Sequence, residues 1–548
     1  MPTSGQFNQS RYAILFKPGA YNLDVRVGYY TEVAGLGLSP DDVTITGAVR
    51  TQDDPSTNPI DAGPGALDNF WRMAENLAVV PTLGSLTLGP ASIPLNQDVW
   101  AVSQAAPLRR IHVRQNGATP STLRLFDVGY SSGGFMADSK VEGAVEPGSQ
   151  QQWLSRNSEW TQWNDEVWND VFVGSTPVPS GTWPSAAITN GGDAPIVREK
   201  PFLYIDQGGN YFVMVPALKY NSRGVDWNGV SPAGTPIPIQ DFYIVTAAAQ
   251  GQPTVIDASA VNAALNNGKH LLFTPGVYYV NGTIQVTTPG TVVLGLGLAT
   301  LVANNGNPIM TVADVDGVSV AGLLFDAGPT NTSTLLQMGE AGSSVDHSSN
   351  PSFLFDVFCR VGGPSQYAGT TSSCVTINSS NVVGDNLWLW RADHGSNVGW
   401  TQNLADSGLI VNGANVTMYG LAVEHFQKYQ TVWNGEGGRV YFYQSEMPYD
   451  PPNQTAWRND GNGNGYASYK VADSVTDHRA WGVGVYCYFR DAAVVADRAI
   501  EVPPRVESGF TDMVTFWLNG TSGSEIAHII NNDGTAVTIG NRKATLPP

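Results

Sequence analysis

One stretch of this chain is written twice, and that repetition limits the folds open to it more than any other feature. Ile14-Leu-Phe-Lys-Pro-Gly-Ala-Tyr21 returns as Leu271-Leu-Phe-Thr-Pro-Gly-Val-Tyr278, and Gly35-Leu-Gly-Leu38 returns as Gly295-Leu-Gly-Leu298, at offsets of 257 and 260 residues. A supersecondary pattern that begins twice predicts duplicated domains. Each copy continues as short β-branched or aromatic runs punctuated by Gly, Asn and Asp, with little helical periodicity. Gly317–Phe325, Asn381–Trp390 and Asn415–Val423 share one grammar: a turn residue, a strand, a small corner residue and a second strand. In a parallel β-helix successive coils stack about 4.8 Å apart and bury their inward side chains in one continuous core, so strands this short are stable. A two-sheet sandwich offers similar strands without in-register coil signatures. The predicted fold is all-β: two tandem right-handed parallel β-helices packed side by side. Residues 1–240 form the first, 241–256 a linker and 257–548 the second. Asp257–Gly268 carries helix formers, a capping Asp or Ser and a terminating Gly, and predicts a short helix capping the second β-helix. Only thirteen residues precede Ile14, so the first β-helix is expected to start shortened. The Pro-rich Val230–Ile239, followed by Val245–Gly251, reads as the connecting stretch.

Charge narrows the partners. Lys+Arg 28 against Asp+Glu 47 gives a net charge of −19, which repels phosphate backbones and anionic membranes, so no nucleic-acid or membrane partner is expected. Fifteen Trp and 21 Tyr supply aromatic faces for the core and for stacking on sugar rings. Cys359, Cys374 and Cys487 are too few for a disulfide framework, and no Cys-x-x-Cys or His-x-x-x-His spacing suggests zinc. No metal or other cofactor is expected. Cys359 and Cys374 flank a short Gly-rich excursion that a disulfide could close, whereas Cys487, in Val485–Phe489, reads as a buried thiol. No run of about 18 apolar residues is present to span a membrane. Met1 opens into polar residues rather than a signal peptide, as a secreted chain does once its leader is removed.

Polar and aromatic residues concentrate in Trp388–His394, Val423–Tyr429 and Tyr443–Asp450. Glu424 and Glu446 are 22 residues apart, about one coil, and each follows the strand of its coil, so they should stack as neighbours. Trp390 ends the equivalent strand one coil earlier. Two carboxylates about 5 Å apart at Cα raise the pKa of one of them. A carboxyl kept protonated near neutral pH is what a general acid for a glycosidic oxygen needs. The competing reading makes both solvated turn residues, or partners of Lys428, Arg439 or His425; Trp390, Tyr449, Asp393 and Asp450 alongside favour the catalytic one.

These segments carry a resemblance. Trp390–Gly395, Val423–Tyr429 and Tyr443–Pro452 are similar to the signature of glycoside hydrolase family 55, as are Ser131–Ser139, Gly148–Trp153 and Arg198–Phe202 in the first half. The family resembled consists of secreted bacterial and fungal β-1,3-glucanases built as paired β-helices, with the active site in the cleft between them. They generally cut laminarin from the non-reducing end with inversion. The resemblance implies that Glu446 is the general acid and Glu424 its coupled partner. Tyr449 and a glutamine of Gln150–Gln152, best matched by Gln152, would hold the attacking water. Trp390, Asp393 and His394 would shape the glucose site, with Gln150 and Tyr443 as further substrate contacts. It also implies a secreted monomer acting on β-1,3-glucan. A hydroxyl expected near the water has no clear match around Val173–Ser175, and the base stays open. Adjacent coils argue against Glu424 as that base, because an inverting pair needs roughly 6.5–9.5 Å between carboxyl groups. Two rivals remain: a pectin lyase or polygalacturonase, which needs basic residues or Ca²⁺ in its groove, and a non-catalytic glycan-binding solenoid.

Overall fold

The computed structural model describes residues 5–58, 63–82, 86–88, 91–93, 96–229 and 232–546. Two compact units emerge: one runs up to Thr246 and takes in Leu272–Gly276 and Leu294–Leu298, and the other holds the remainder.

In the first unit, parallel strands stack in the order Tyr12–Phe16, Thr31–Gly35, Arg72–Pro81, Leu108–Val113, Gly134–Ala137, Gln152–Arg156, Asn169–Val173 and Ile188–Asn190. A second parallel stack holds Gln97–Val99, Ser121–Arg124, Lys140–Glu146 and Glu159–Trp163. Val33, Leu77, Ile111, Met136, Trp153 and Phe172 belong to one apolar cluster running through the coils. The parallel coil does not continue to residue 240 as expected. Ala194–Val197 pairs Lys219–Ser222, and Phe202–Ile205, Tyr211–Pro216 and Gly234–Pro238 form a second sheet, all antiparallel. The local cause is turn chemistry: Asp206 Oδ1 accepts from the Asn210 amide at 2.8 Å and Gly209 sits at φ 83°, closing a hairpin. Val230 and Ser231, at the start of the expected connecting stretch, lie outside the described residues.

The stretch 241–256, expected as a linker, carries the strands Phe242–Val245 and Thr254–Asp257, the latter pairing with Val277–Asn281, and the expected helix Ala258–Asn266 follows, its N-cap Asp257 accepting from the Ser259 amide. Among the described residues no helix precedes Tyr12 in the first unit. Beyond the helix the coils form two sheets of parallel strands, a long one ended by the antiparallel Lys543–Leu546 and a shorter eight-stranded one. Seven strands of the long sheet, Ser319–Asp326, Phe353–Val361, Val383–Arg391, Thr417–Glu424, Gly438–Glu446, His478–Cys487 and Phe510–Trp517, pair in register. Each bends at one left-handed residue, and the seven corners align: Gly322, Asp356, Asn386, Gly420, Phe442, Gly482 and Asp512, with φ between 48° and 71°. Gly, Asn and Asp are the residues that adopt this conformation at least cost. Phe442 is the exception, at φ 69°, four residues before Glu446. The Cys359–Cys374 disulfide forms, with Cα atoms 6.1 Å apart, and joins the long sheet to the Thr371–Ile377 strand of the shorter one. Cys487 is a buried free thiol.

Candidate active site

Because the register is unbroken, one position recurs at the end of each strand. Asp326, Arg360, Trp390, Glu424, Glu446, Tyr486 and Phe516 stand one above the other. The 22-residue spacing of the two glutamates is therefore one coil, and their backbones are strand neighbours about 4.8 Å apart. Two residues earlier the stack reads Trp388, Ala422, Gln444, Gly484. Ala422 is small enough for the longer chains on either side to reach past it. Trp388 Nε1 donates to Glu424 Oε2 at 2.8 Å and Gln444 Nε2 donates to Glu424 Oε1 at 3.0 Å. Both oxygens of Glu424 thus accept from donors, the arrangement that suits an ionised carboxylate.

Glu446 is placed differently. Its side chain is 16% exposed, whereas Glu424 is only 2% exposed. Tyr449 Oη donates to Glu446 Oε2. Burial, then the charge of Glu424, then that of Asp393 hold the Glu446 carboxyl well above the usual range. Two neighbouring carboxylates have been pushed apart in character: an inner one fixed by two donors, and an outer one kept protonated within reach of solvent.

Tyr486, next in the stack, lies flat because residue 484 has no side chain. A Cβ on Gly484 would sit 2.2 Å from Tyr486 Oη and 2.8 Å from its Cζ. The ring cannot retreat, since it is buried and stacks on Phe516 with centroids 5.7 Å apart. Gly484→Ala is expected to destabilise the protein by about 1–3 kcal/mol, the usual cost of overpacking, read as a lowered midpoint in thermal or denaturant unfolding.

Around the pair, Trp390 stacks on Trp388 (centroids 5.0 Å) and meets the His394 ring (5.4 Å). His394 Nδ1 lies 3.0 Å from Asp393 Oδ1. Burial raises Asp393, but the charge and hydrogen bond of His394, with His425 behind, bring it below the ordinary carboxylate range. Asp450 has a structural partner: Arg391 Nη1 and Nη2 donate to its two oxygens, both at 2.9 Å. Arg391 also donates to the carbonyls of Asn403, Gly399 and His425.

The structure thus brings Glu446, Glu424, Tyr449, Trp390, Asp393 and His394 together. Tyr443 is a correction. It points into the coil, with its hydroxyl 3.1 Å from Thr431 Oγ1 and 3.2 Å from the Ser468 carbonyl. Alternation along the strand puts Gln444 and Glu446 on one face and Tyr443 on the other. Gln150 is buried in the first unit, and its Nε2 donates to the Val102 carbonyl at 2.9 Å, a tie within the coil rather than an exposed contact group. Gln152 donates from Nε2 to Ser132 Oγ at 3.0 Å, and its Oε1 has no hydrogen-bond partner among the described residues. Ser175, in the poorly matched stretch, turns its hydroxyl to the Ser155 carbonyl. Glu199 and Lys200 of the Arg198–Phe202 block hold buried ion pairs with Arg156 and Glu75.

One residue at the centre was weighed in the sequence only as an ion partner. His425 follows Glu424 at φ 68°, with Nε2 3.8 Å from Asp393 Oδ1 and 3.9 Å from Glu446 Oε2. Its adjacency to Glu424 was the available signal; the left-handed turn that swings its ring toward Glu446 had none.

A neutral carboxyl beside a buried charged one, edged by stacked indoles, is the equipment for protonating the oxygen of a sugar acetal, and on β-helical coils it defines a glycoside hydrolase. Similarity to known proteins narrows the class. Residues 247–446 match the family model "LAM55 pectate lyase-like domain". The chain is 45% identical over 97% of its length, and 82% of the relative's, to an exo-β-1,3-glucanase of Streptomyces sp. (strain SirexAA-E / ActE). It is 23% identical, over 49% of its length and 39% of the relative's, to a glucan 1,3-β-glucosidase of Cochliobolus carbonum. The solved structure of sacteLam55A from Streptomyces sp. SirexAA-E superposes with a TM-score of 0.89 at 42% identity, covering 99% of this chain and 93% of that one. A variant of that enzyme in complex with glucose gives a TM-score of 0.88 over the same shares. The chain belongs to glycoside hydrolase family 55.

Proposed function

We propose that this enzyme hydrolyses β-1,3-glucan as an exo-glucanase, removing glucose from the non-reducing end with inversion, and that Glu446 is its general acid. The observation that carries the reading is the unequal pair: Glu446, partly exposed and held protonated, directly above the buried Glu424. The names of the Streptomyces and Cochliobolus relatives and the glucose complex support the substrate. Glu446 would protonate the departing oxygen while Tyr449, already bonded to it, helps position the attacking water. Gln152 is retained as a second water ligand on the family pattern, its unpartnered Oε1 being the acceptor such a role requires. Trp390, Asp393 and His394 would contact the terminal glucose. A polymeric substrate is met outside the cell, which supports a secreted enzyme, and the acid and its charged partner come from one chain, which supports a monomer. Among the described residues, the cations beside the pair are already engaged, Arg391 with Asp450 and Arg490 with Asp491, which weighs against a polygalacturonate substrate.

The pH profile tests the coupling. The acid works while protonated, so the alkaline limb of the rate profile reports Glu446. Glu424→Gln removes a charge that raises it, and should move that limb to lower pH. Burial would keep part of the elevation. An unmoved or upward-shifted limb would show that Glu424 does not set the acid.

A further inference from the structure

We propose that His425 is the residue through which Glu446 regains its proton after each turnover, a role that rests on Glu446 being the acid. His425 Nδ1 lies 3.3 Å from the Met447 carbonyl, which can only accept, so Nδ1 carries the hydrogen and Nε2 presents a lone pair. Nε2 faces two carboxyl groups, Glu446 Oε2 at 3.9 Å and Asp393 Oδ1 at 3.8 Å. The Tyr449 ring packs edge-on against the imidazole, centroids 4.3 Å apart. Arg391 donates to the His425 carbonyl rather than to its ring, and it is paired with Asp450. Asp393 Oδ1 is in turn 3.0 Å from His394 Nδ1. The side chains of His394, Asp393, His425 and Glu446 are 35%, 11%, 4% and 16% exposed, so the line links solvent to the acid by a path separate from the exposed edge of Glu446 that meets the sugar.

The cycle balances. Glu446 gives its proton to the glycosidic oxygen as the C–O bond breaks; the water oxygen bonds to the anomeric carbon and its proton leaves to solvent. Glu446 is then a carboxylate beside Glu424 and Asp393. A proton entering past His394 and Asp393 reaches Nε2, passes to Glu446, and His425 returns to its Nδ1–H form. The last transfer, from His425 to Glu446, is downhill: burial brings the imidazole down to about 4 despite Asp393 and the Met447 carbonyl, while Glu446 lies well above its ordinary value. The gaps exceed a hydrogen bond by about 1 Å, as catalytic contacts often do before substrate closes the site.

His425 holds a left-handed backbone, φ 68°, which Gly adopts freely and Asn tolerates, so both replacements suit the turn. In His425→Gly and His425→Asn, kcat on laminarin should fall about 10- to 100-fold with KM within about threefold. Imidazole in the buffer should restore kcat at least about fivefold in His425→Gly, where the ring has left a space, and not in His425→Asn. Dinitrophenyl β-glucoside, whose leaving group takes no proton from Glu446, should turn over within about twofold of wild type in both. Wild-type rates on laminarin, a loss that imidazole leaves untouched in His425→Gly, or an equal loss on the dinitrophenyl substrate would each overturn the proposal. If neither variant folds, ¹⁵N-histidine NMR of the wild-type enzyme decides: Nδ1–H is expected for neutral His425, and Nε2–H contradicts the relay. If Glu446→Gln is slow on laminarin while both His425 variants are not, the relay alone fails; if Glu446→Gln is itself normal, the acid assignment fails first.

Discussion

Glu446→Gln should lower kcat on laminarin by about 10² to 10⁴, the usual contribution of general acid catalysis, while leaving substrate binding within a few-fold. The amide keeps the shape of the side chain and can still accept from Tyr449, but it has no proton to transfer. It also removes the unfavourable meeting with Glu424, so the fold should not suffer. Dinitrophenyl β-glucoside is the control, because it departs without protonation. It should recover much of the lost rate in Glu446→Gln but not in Tyr449→Phe, which disturbs the water instead. Normal laminarin turnover by Glu446→Gln would move the acid to Glu424, Asp393 or Asp450, and of these Asp450 is the weakest candidate because Arg391 already grips both its oxygens.

That grip is the second place where a large effect is expected. Arg391 and Asp450 are both buried, and Arg391 also donates to three backbone carbonyls that hold the excursion after its strand against the His425 turn. Arg391→Met leaves Asp450 charged and unpaired in the interior, a defect that typically costs about 3–5 kcal/mol. Denaturant unfolding followed by tryptophan fluorescence should show a loss of that size. The double variant Arg391→Met/Asp450→Leu removes the stranded charge and should recover part of it, although the orphaned carbonyls of Asn403 and His425 keep it below wild type. Additive losses in the double variant would mean that the pair does not act as a unit.

The coil architecture was readable because its spacing is periodic. Glu424 and Glu446 sit 22 residues apart with no insertion between their strands, so counting alone placed them on adjacent coils, and Trp390 fell one coil earlier despite the excursion at 391–409. The helix at Ala258–Asn266 was legible from Asp257 and Gly268, and six of the seven strand corners carry Gly, Asn or Asp. Phe442 was not foreseeable, since nothing in an aromatic residue announces a left-handed backbone. Tyr443 failed on parity, which was available: a two-residue period counted back from Glu446 selects Gln444, the residue that in fact holds Glu424. The Arg391–Asp450 pair spans 59 residues and was invisible, because an ion pair across coils has no period of its own. The parallel coil of the first unit was over-extended for a local reason, the Asp206–Asn210 turn, which starts a hairpin where the coil was expected to continue.

The central claim is inverting removal of single glucose units by this carboxylate pair, and the first product of the reaction tests it most directly. In a proton NMR time course on laminarin, the account predicts that α-glucose is the first new species, with its anomeric proton rising before mutarotation produces the β form. β-Glucose appearing first, a ladder of oligosaccharides, or unsaturated chain ends would contradict it.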